Sequence, residues 1–481
     1  MTAETATAEK LDFRAAASAA VADAPRRENF QRVMTTLMDK RLAQFPNPDE
    51  LSALREQAAE VRARALSKLP DLLRRMEDKC RENGIVVHWA ETPAEANRII
   101  LDILQAHGAK KVIKGKSMVS EETHLNTALE GAAIEVVESD LGEYIIQLAH
   151  ETPSHIVMPC IHKTKEDIAR LFAQHIKGQE YTEDVAALTE AARVELRERF
   201  AAADAGISGV NFMVAETGSL VLVENEGNGR LSTTLPTLHI AITGIEKVVE
   251  NLDDVAPLLS LLPRSATGQA ITTYVNMITS PRKADEKDGP REVHLVLLDN
   301  GRSRVYADPQ LRDTLRCIRC GACINHCPIY ARVGGHAYQQ VYPGPIGKIL
   351  TPQLLGLESK GDQPHASSLC GRCVEVCPVK IPITDILVRL REEAVEAHPH
   401  AAVAGSGSRR SWLESVIWRG WKIAHAVPAF YRLAGWGLTR FGNLAPASMP
   451  MFKEWTSVRS KPTFAAKTLH ELAKEKGYGD E

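Results

Sequence analysis

An excess of charge of either sign is missing: 58 Lys and Arg stand against 61 Asp and Glu, a net charge of −3 over 481 residues. That balance argues against a general nucleic-acid binder, which would carry a clear basic surplus. Long apolar runs are missing too, and none approaches the ~20 residues that cross a bilayer. Met1 to Ala24 is alanine-rich with mixed charge and lacks the basic start and apolar block of a secretory leader. A soluble, cytoplasmic protein is expected. The Gly-rich stretch Glu226-Gly-Asn-Gly229 lacks the G-x-G-x-x-G spacing and the strand-to-helix setting of a dinucleotide site. Nothing in the chain therefore reads as a flavin or nicotinamide fingerprint. Cysteine is scarce, nine in all, yet seven of the nine fall in two short runs.

The first run is Cys317-Ile-Arg-Cys320-Gly-Ala-Cys323-Ile-Asn-His-Cys327-Pro328, and the second is Cys370-Gly-Arg-Cys373-Val-Glu-Val-Cys377-Pro378. The C-x2-C-x2-C-x3-C-P spacing holds iron–sulfur clusters: three thiolates converge on one cluster, and the fourth, turned away before proline, reaches its neighbour. On that logic Cys317, Cys320, Cys323 and Cys377 hold one 4Fe–4S cluster, and Cys327, Cys370 and Cys373 hold the other. A complete second run would have a cysteine at position 367, where this chain has Ser367. The second cluster is then either 3Fe–4S, or 4Fe–4S with water, Ser367, another side chain or a partner's group on the fourth iron. Disulfides are disfavoured in a reducing compartment. Zinc is the competing metal, because paired C-x2-C units also make four-thiolate zinc sites, but runs ending in Cys-Pro fit iron–sulfur chemistry better. Cys80 lies on the apolar stripe of a helix and reads as a core cysteine, and Cys160 as structural.

Residues 49–83 read as one long helix, entered at Pro48, stopped at Gly84 and kinked at Pro70. Short strands at Ile85–Trp89, Lys111–Lys114, Ala133–Val137 and His155–Met158 then alternate with helices, which implies a parallel sheet covered on both faces. Gly209–Val214, Ser219–Glu224, Leu238–Thr243, Ile271–Ile278 and Glu292–Leu298 are further strands. The expected organisation is a flexible tail at 1–48, an α/β domain at 49–300, a mostly helical two-cluster domain at 301–403 and a helical extension at 404–481. Val403-Ala-Gly-Ser-Gly-Ser408 marks a linker. Five of the six tryptophans follow it (Trp412, Trp418, Trp421, Trp436 and Trp455), interleaved with Arg and Lys. Such a segment docks on a partner, packs on its own protein or makes peripheral contact with a membrane.

Lys114-Gly-Lys116-Ser117, after a strand, reads as an anion-binding turn or as a bare strand-to-helix turn. His124, His155, His162 and His239 show no metal-ligand spacing and read as structural.

With these motifs the chain resembles the lactate-utilisation iron–sulfur family, LutB (YkgF). The resemblance covers nearly the whole chain. It is carried by Cys317–Pro328, by Leu369–Pro378, by Ala215-Glu-Thr-Gly-Ser-Leu220 with Ile242-Thr-Gly244, and by the Trp-rich tail. It implies a LUD domain similar to the sugar-isomerase and CoA-transferase class, then a ferredoxin-type domain and a C-terminal extension. It also implies that a three-cysteine second run is ordinary for the family. The function it implies is electron transfer within a complex that oxidises L-lactate to pyruvate, beside a cysteine-rich LutA-like subunit and a LutC-like LUD subunit. The chain would be a subunit of an oxidoreductase, not catalytic alone. CoA transferases use a glutamate nucleophile, and Glu216 or Glu224 stands in the comparable region, although strand-end carboxylates are more often structural. The alternatives are service to another 2-hydroxy acid or glycerol phosphate, and a cluster-based redox sensor.

Overall fold

A computed structural model describes residues 12–395, 412–446, 456 and 459–478. The chain divides into two compact units, Met1–Gly407 and Ser408–Glu481. The boundary expected between 300 and 301 falls inside the first unit.

Ten strands form the framework of that unit: β1 (Val86–Ala90), β2 (Lys111–Lys114), β3 (Glu135–Glu138), β4 (Ala205–Ser208), β5 (Phe212–Val214), β6 (Ser219–Glu224), β7 (Leu238–Gly244), β8 (Val248–Val249), β9 (Tyr274–Ile278) and β10 (Glu292–Leu298). Six of them make one sheet in the order β1-β10-β7-β4-β2-β3, and every pair in it is parallel. Alternate residues of a strand face opposite sides. In β10, Val293, Leu295 and Leu297 enter one apolar cluster, and Val296 and Leu298 enter another under the helix Pro93–Ala106. A second sheet, β8-β5-β6-β9, packs in the first of these clusters. There β5 runs parallel to β8 and antiparallel to β6.

His155–Met158 is not a strand. Ser154 N–H donates to Pro159 O at 2.9 Å, closing the segment on itself. His155 Nδ1 accepts from Val157 N–H at 3.0 Å and Met158 N–H at 3.1 Å, so these donors are lost to any ladder. Its expected place is taken by β4, where Gly206 lets the backbone approach closely: a Cβ there would lie 1.8 Å from Ser232 O. The long helix expected over 49–83 is two helices, Pro48–Ser67 and Leu69–Glu82. Pro70 has no N–H to continue a helix, so it sits in the first turn of the second one.

Residues 13–44, expected as tail, are helices Phe13–Ala22 and Ala24–Gln44, capped by Asp12 and Asp23. Phe30, Met34 and Leu37 repeat at helical spacing and are buried in the core. That same core cluster takes in Cys320, Cys323, Cys327 and Cys377. In the cluster region, Pro328–Val333, Gly344–Leu355 and Ile383–Glu393 are helices.

The second unit is built on helices Trp412–Ala426, Pro428–Phe441 and Leu469–Glu475. Trp412, Trp418, Trp421 and Trp436 are about half exposed or more. Trp455 and the linker Val403–Ser408 lie outside the described residues. Among the described residues no helix is long and apolar enough to cross a membrane.

Candidate functional site

The two cysteine runs fold alike. The residue before the Cys-Gly step of each run, Cys320-Gly321 or Cys370-Gly371, is left-handed, Arg319 at φ +60° and Leu369 at φ +53°. The glycine after it is also left-handed, Gly321 at +75° and Gly371 at +79°, a conformation glycine adopts without steric cost. Each glycine opens a short helix, Ala322–Asn325 or Arg372–Val376. The reversal turns Cys320 and Cys323, or Cys370 and Cys373, toward one point.

Cys317, Cys320, Cys323 and Cys377 line one small cavity, whose other walls include Ile156, Ile318, Ile346, Val379 and Ile381. Cys327, Cys370 and Cys373 line a second, together with Ser367, Ser368 and His326. The walls of the first cavity are almost wholly apolar and Cys320, Cys323 and Cys377 are buried there, whereas Cys370 in the second is exposed. Backbone N–H groups point at the sulfurs: Arg319 N to Cys317 Sγ at 3.4 Å, Ile381 N to Cys377 Sγ at 3.4 Å and Tyr330 N to Cys327 Sγ at 3.5 Å. Lys348 Nζ donates to Cys327 Sγ at 3.6 Å.

This donor set fits iron–sulfur ligation. None of the nine cysteines is in a disulfide, and burial pushes the Cys320 thiol up to about 12 and the Cys373 and Cys377 thiols up to about 11. Thiols gathered in an apolar pocket shed their protons only to a bound cation, and a coordinating thiol is deprotonated outright. Cys80 and Cys160 line neither cavity. Cys80 is fully buried and donates to Gly218 O at 3.6 Å, and Cys160 packs beside the cluster around Tyr144 and Phe172.

Arginines from the N-terminal helices fasten the cluster region to the α/β framework. Arg62 is fully buried and donates to Val248 O at 2.8 Å, Leu315 O at 3.1 Å, Arg316 O at 3.3 Å and Glu246 O. Arg55 donates to Cys377 O at 2.9 Å and Val374 O at 3.1 Å. Arg302 bridges Glu246 at 2.7 Å and Glu122 at 2.8 Å, and Arg319 lies over the Tyr342 ring at 4.6 Å. Burial drives the Glu246 carboxyl up, but Arg302, Arg319 and Lys247 outweigh it and hold it down to about 2. His155 locks the run itself: its Nε2 pairs with Asn325 Oδ1 at 3.0 Å, and a Cβ on Gly321 would sit 3.1 Å from Val157. Sequence reasoning missed these arginines, because nothing in their local pattern signals the carbonyls they serve; His155, read as structural, is so.

A third cavity, of about 310 Å³, opens at the carboxyl ends of β2, β4 and β7 and reaches Cys320, the usual place for ligands in open α/β sheets. The Lys114 side of the anion reading fails here. Lys114 is fully buried and paired with Glu138 at 2.8 Å and Glu121 at 3.2 Å. Lys116 donates to Val157 O, and Ser117 caps the helix Met118–Glu122. Glu224, on the wall, is consumed by Gly229 N and Arg230 N at 2.7 Å each and by Asn276 at 2.9 Å. Glu216 accepts from Leu252 N at 2.9 Å. Both oxygens of Glu224 are thus engaged, and Glu216 is exposed and does not line the cavity. Of the four histidines, His239 pairs with Ser208 at 2.8 Å and His162 with Glu151 at 2.7 Å. His162, Glu151 and His336 cluster at metal-ligand distance, but His336 is occupied by Arg26 at 2.6 Å and Thr152 O at 2.7 Å.

A parallel α/β domain joined to two cysteine cavities of ferredoxin spacing defines an iron–sulfur protein. Residues 73–298 match the LUD domain, 313–381 the 4Fe-4S dicluster domain and 389–478 the lactate utilisation protein B C-terminal domain. The chain is 42% identical over 425 residues to lactate utilization protein B of Shouchella clausii, covering 87% of each. It is 40% identical over 422 residues to lactate utilization protein B of Bacillus subtilis, covering 85% of this chain and 84% of that one. It is 42% identical over 408 residues to the uncharacterized electron transport protein YkgF of Escherichia coli, covering 85% of each. The chain belongs to the lactate utilization protein B family, and its cofactors are iron–sulfur clusters.

Proposed function

We propose that this chain is the iron–sulfur electron-transfer subunit of a cytoplasmic complex that oxidises L-lactate to pyruvate, working beside a LutA-like cysteine-rich subunit and a LutC-like LUD subunit. The reading rests on where the two cysteine cavities lie: the enclosed one reaches the LUD cavity through Cys320, and the other meets solvent at Cys370. Cys317, Cys320, Cys323 and Cys377 would hold one cluster, and Cys327, Cys370 and Cys373 the other, with Ser367 at the position of the missing cysteine. When bound, such clusters accept and release single electrons at potentials set by ligands, burial and hydrogen bonds to sulfur. The chain's own part is to keep one site dry with Ile156, Ile318 and Ile346, to aim N–H groups at its sulfurs, and to leave the other site open to a partner. The Trp-rich helices are the surface we assign to partner docking, with a membrane surface as the other destination.

The test is anaerobic. The chain is purified with its two partners, L-lactate is added, and the visible iron–sulfur absorbance is followed. Bleaching that requires the partners supports the reading; bleaching by dithionite but never by lactate sinks it. D-lactate, glycolate and glycerol 3-phosphate in the same assay separate the other substrates. A sensor is favoured by the exposed three-cysteine cavity, and it is excluded if partner affinity is equal for apo and loaded protein. For the ligands, Cys317→Ser and Cys377→Ser should abolish the same EPR signal and Cys327→Ser the other.

A further inference from the structure

The cavity of about 310 Å³ beside Cys320 is lined by chemistry that the electron-transfer reading does not use. Its outer lining is acidic, with exposed Glu226 beside half-buried Asp140. Its inner lining is basic: Lys247 is 6% exposed, its amine pushed down to about 7 by burial and Arg319, and the Arg319 side chain is 10% exposed. Among the described residues, no hydrogen bond or ion pair engages the Lys247 amine, whose electrostatic neighbours are Arg319, Glu246, Cys317 and Arg62. Arg319 Nη1 is buried without a hydrogen-bond partner, while its Nη2 makes only a long 3.4 Å contact to Glu246. Buried donors of this kind are rarely left unpaired, and an unpaired buried charge is costly.

We infer that this cavity is a binding site for a small monocarboxylate, held between Lys247 and Arg319 next to Cys320. The guanidinium fork matches a planar carboxylate, and the ammonium adds a point charge. The volume is at the small end of ligand pockets, about 300–1,000 Å³, too little for a nucleotide-sized molecule. The acidic rim repels polyanions, which argues for a single carboxylate over phosphate-bearing ligands. The apolar walls, Ile242, Leu262 and Val210 among them, suit a short carbon chain. The class rests on this chain's geometry; only its identification with lactate or pyruvate rests on the function proposed above.

The experiment titrates the full-length, cluster-loaded chain, without partners, by calorimetry with sodium pyruvate, L-lactate, acetate and inorganic phosphate. Pyruvate and L-lactate should bind, phosphate should bind more weakly, and Lys247→Met should weaken the carboxylates at least ~tenfold, as loss of a charge-assisted hydrogen bond predicts. Val210→Phe, which fills the cavity and keeps both cations, should also abolish binding, while the visible absorbance stays that of the wild type. If Lys247→Met loses its clusters, Lys247→Arg, expected to bind, and Val210→Phe, expected not to, carry the comparison. No carboxylate binding at millimolar concentration, equal binding by the variants, or a preference for phosphate overturns the inference. Lactate bleaching through the partners without binding to the isolated chain would leave the electron-transfer reading standing and this site refuted. Binding without bleaching would do the reverse.

Discussion

Arg62 offers the sharpest check on how the cluster region is fastened. Its guanidinium donates to four carbonyls drawn from two places: Glu246 and Val248 in the LUD framework, and Leu315 and Arg316 at the entrance to the first cysteine run. The side chain is 1% exposed, and burial holds its pKa down to about 10. In Arg62→Met those carbonyls lose their donor in a site water does not reach. Each unsatisfied buried group costs about 1–3 kcal/mol, partly offset because a buried charge is no longer desolvated. A net loss of roughly 3–5 kcal/mol is expected, the range for breaking a buried charged network. For a unit this large, at roughly 1–2 °C per kcal/mol by extension of the size scaling, melting should fall by about 5 °C. The cluster region should also loosen first, so chelator-driven loss of visible absorbance should quicken more than global melting. Arg64→Met is the control: Arg64 is 40% exposed and pairs with Glu250 and Asp254 at the surface, where such pairs contribute about 1 kcal/mol or less. If both variants melt alike and keep their clusters equally, the clamp reasoning is wrong.

Gly321→Ala should impair cluster retention more than Gly371→Ala; both force a left-handed alanine, costing about 1–2 kcal/mol, but only at 321 does the new Cβ meet Val157 at 3.1 Å, and iron content after desalting measures the difference. Burial depresses the His239 pKa to about 4, so its stabilising neutral form is fully present above pH 6.5 and is lost as pH falls from 6.5 toward 4. That span corresponds to roughly 3 kcal/mol, and His239→Gln should flatten the fall of melting temperature in this window; an unchanged slope contradicts it. A chain ended after Gly407 should keep its visible iron–sulfur absorbance, because the second unit is compact by itself; loss of the chromophore would show that the cluster region depends on it.

Much of the site was legible because ligand spacing is a local code: two residues between thiolates let them converge, and Gly321 and Gly371 supply the reversal without help from the fold. The parallel sheet was legible for the same reason, with β2, β7 and β10 reading as short apolar runs. What failed were features settled by distant partners. His155–Met158 has the composition of a strand, yet His155 takes its backbone donors and spends its other nitrogen on Asn325, 170 residues away. Residues 13–44 looked like a tail because alanine and charge dominate them. The Phe30, Met34, Leu37 stripe that buries the second of these helices was present, but short.

The charges around the first cysteine cavity bear on direction. Arg62 and Arg319 interact electrostatically with Cys317, as does Lys247, whose amine burial and Arg319 push down to about 7, and among the described residues Glu246 is the buried carboxylate beside them. Arg302 lies beyond, spent on Glu246 and Glu122. The second cavity has one buried cation in contact, Lys348, and an edge open to water at Cys370. Adding an electron makes a thiolate-ligated centre more negative. A surplus of buried cations therefore stabilises the reduced form and raises the potential, whereas burial alone lowers it. With low dielectric amplifying each charge, the cationic surplus should win at the enclosed site and would stabilise the reduced form of a centre held there. An electron leaving the enclosed site for the exposed one, whose potential would be lower, would move uphill, so onward flow would need an acceptor of higher potential beyond Cys370 to draw it off. Lys247→Met should accordingly lower the midpoint potential of the centre that Cys317→Ser abolishes and leave that of the Cys327 centre unmoved. A shift confined to the other centre would mean that the pairing of cations with cavities is wrong.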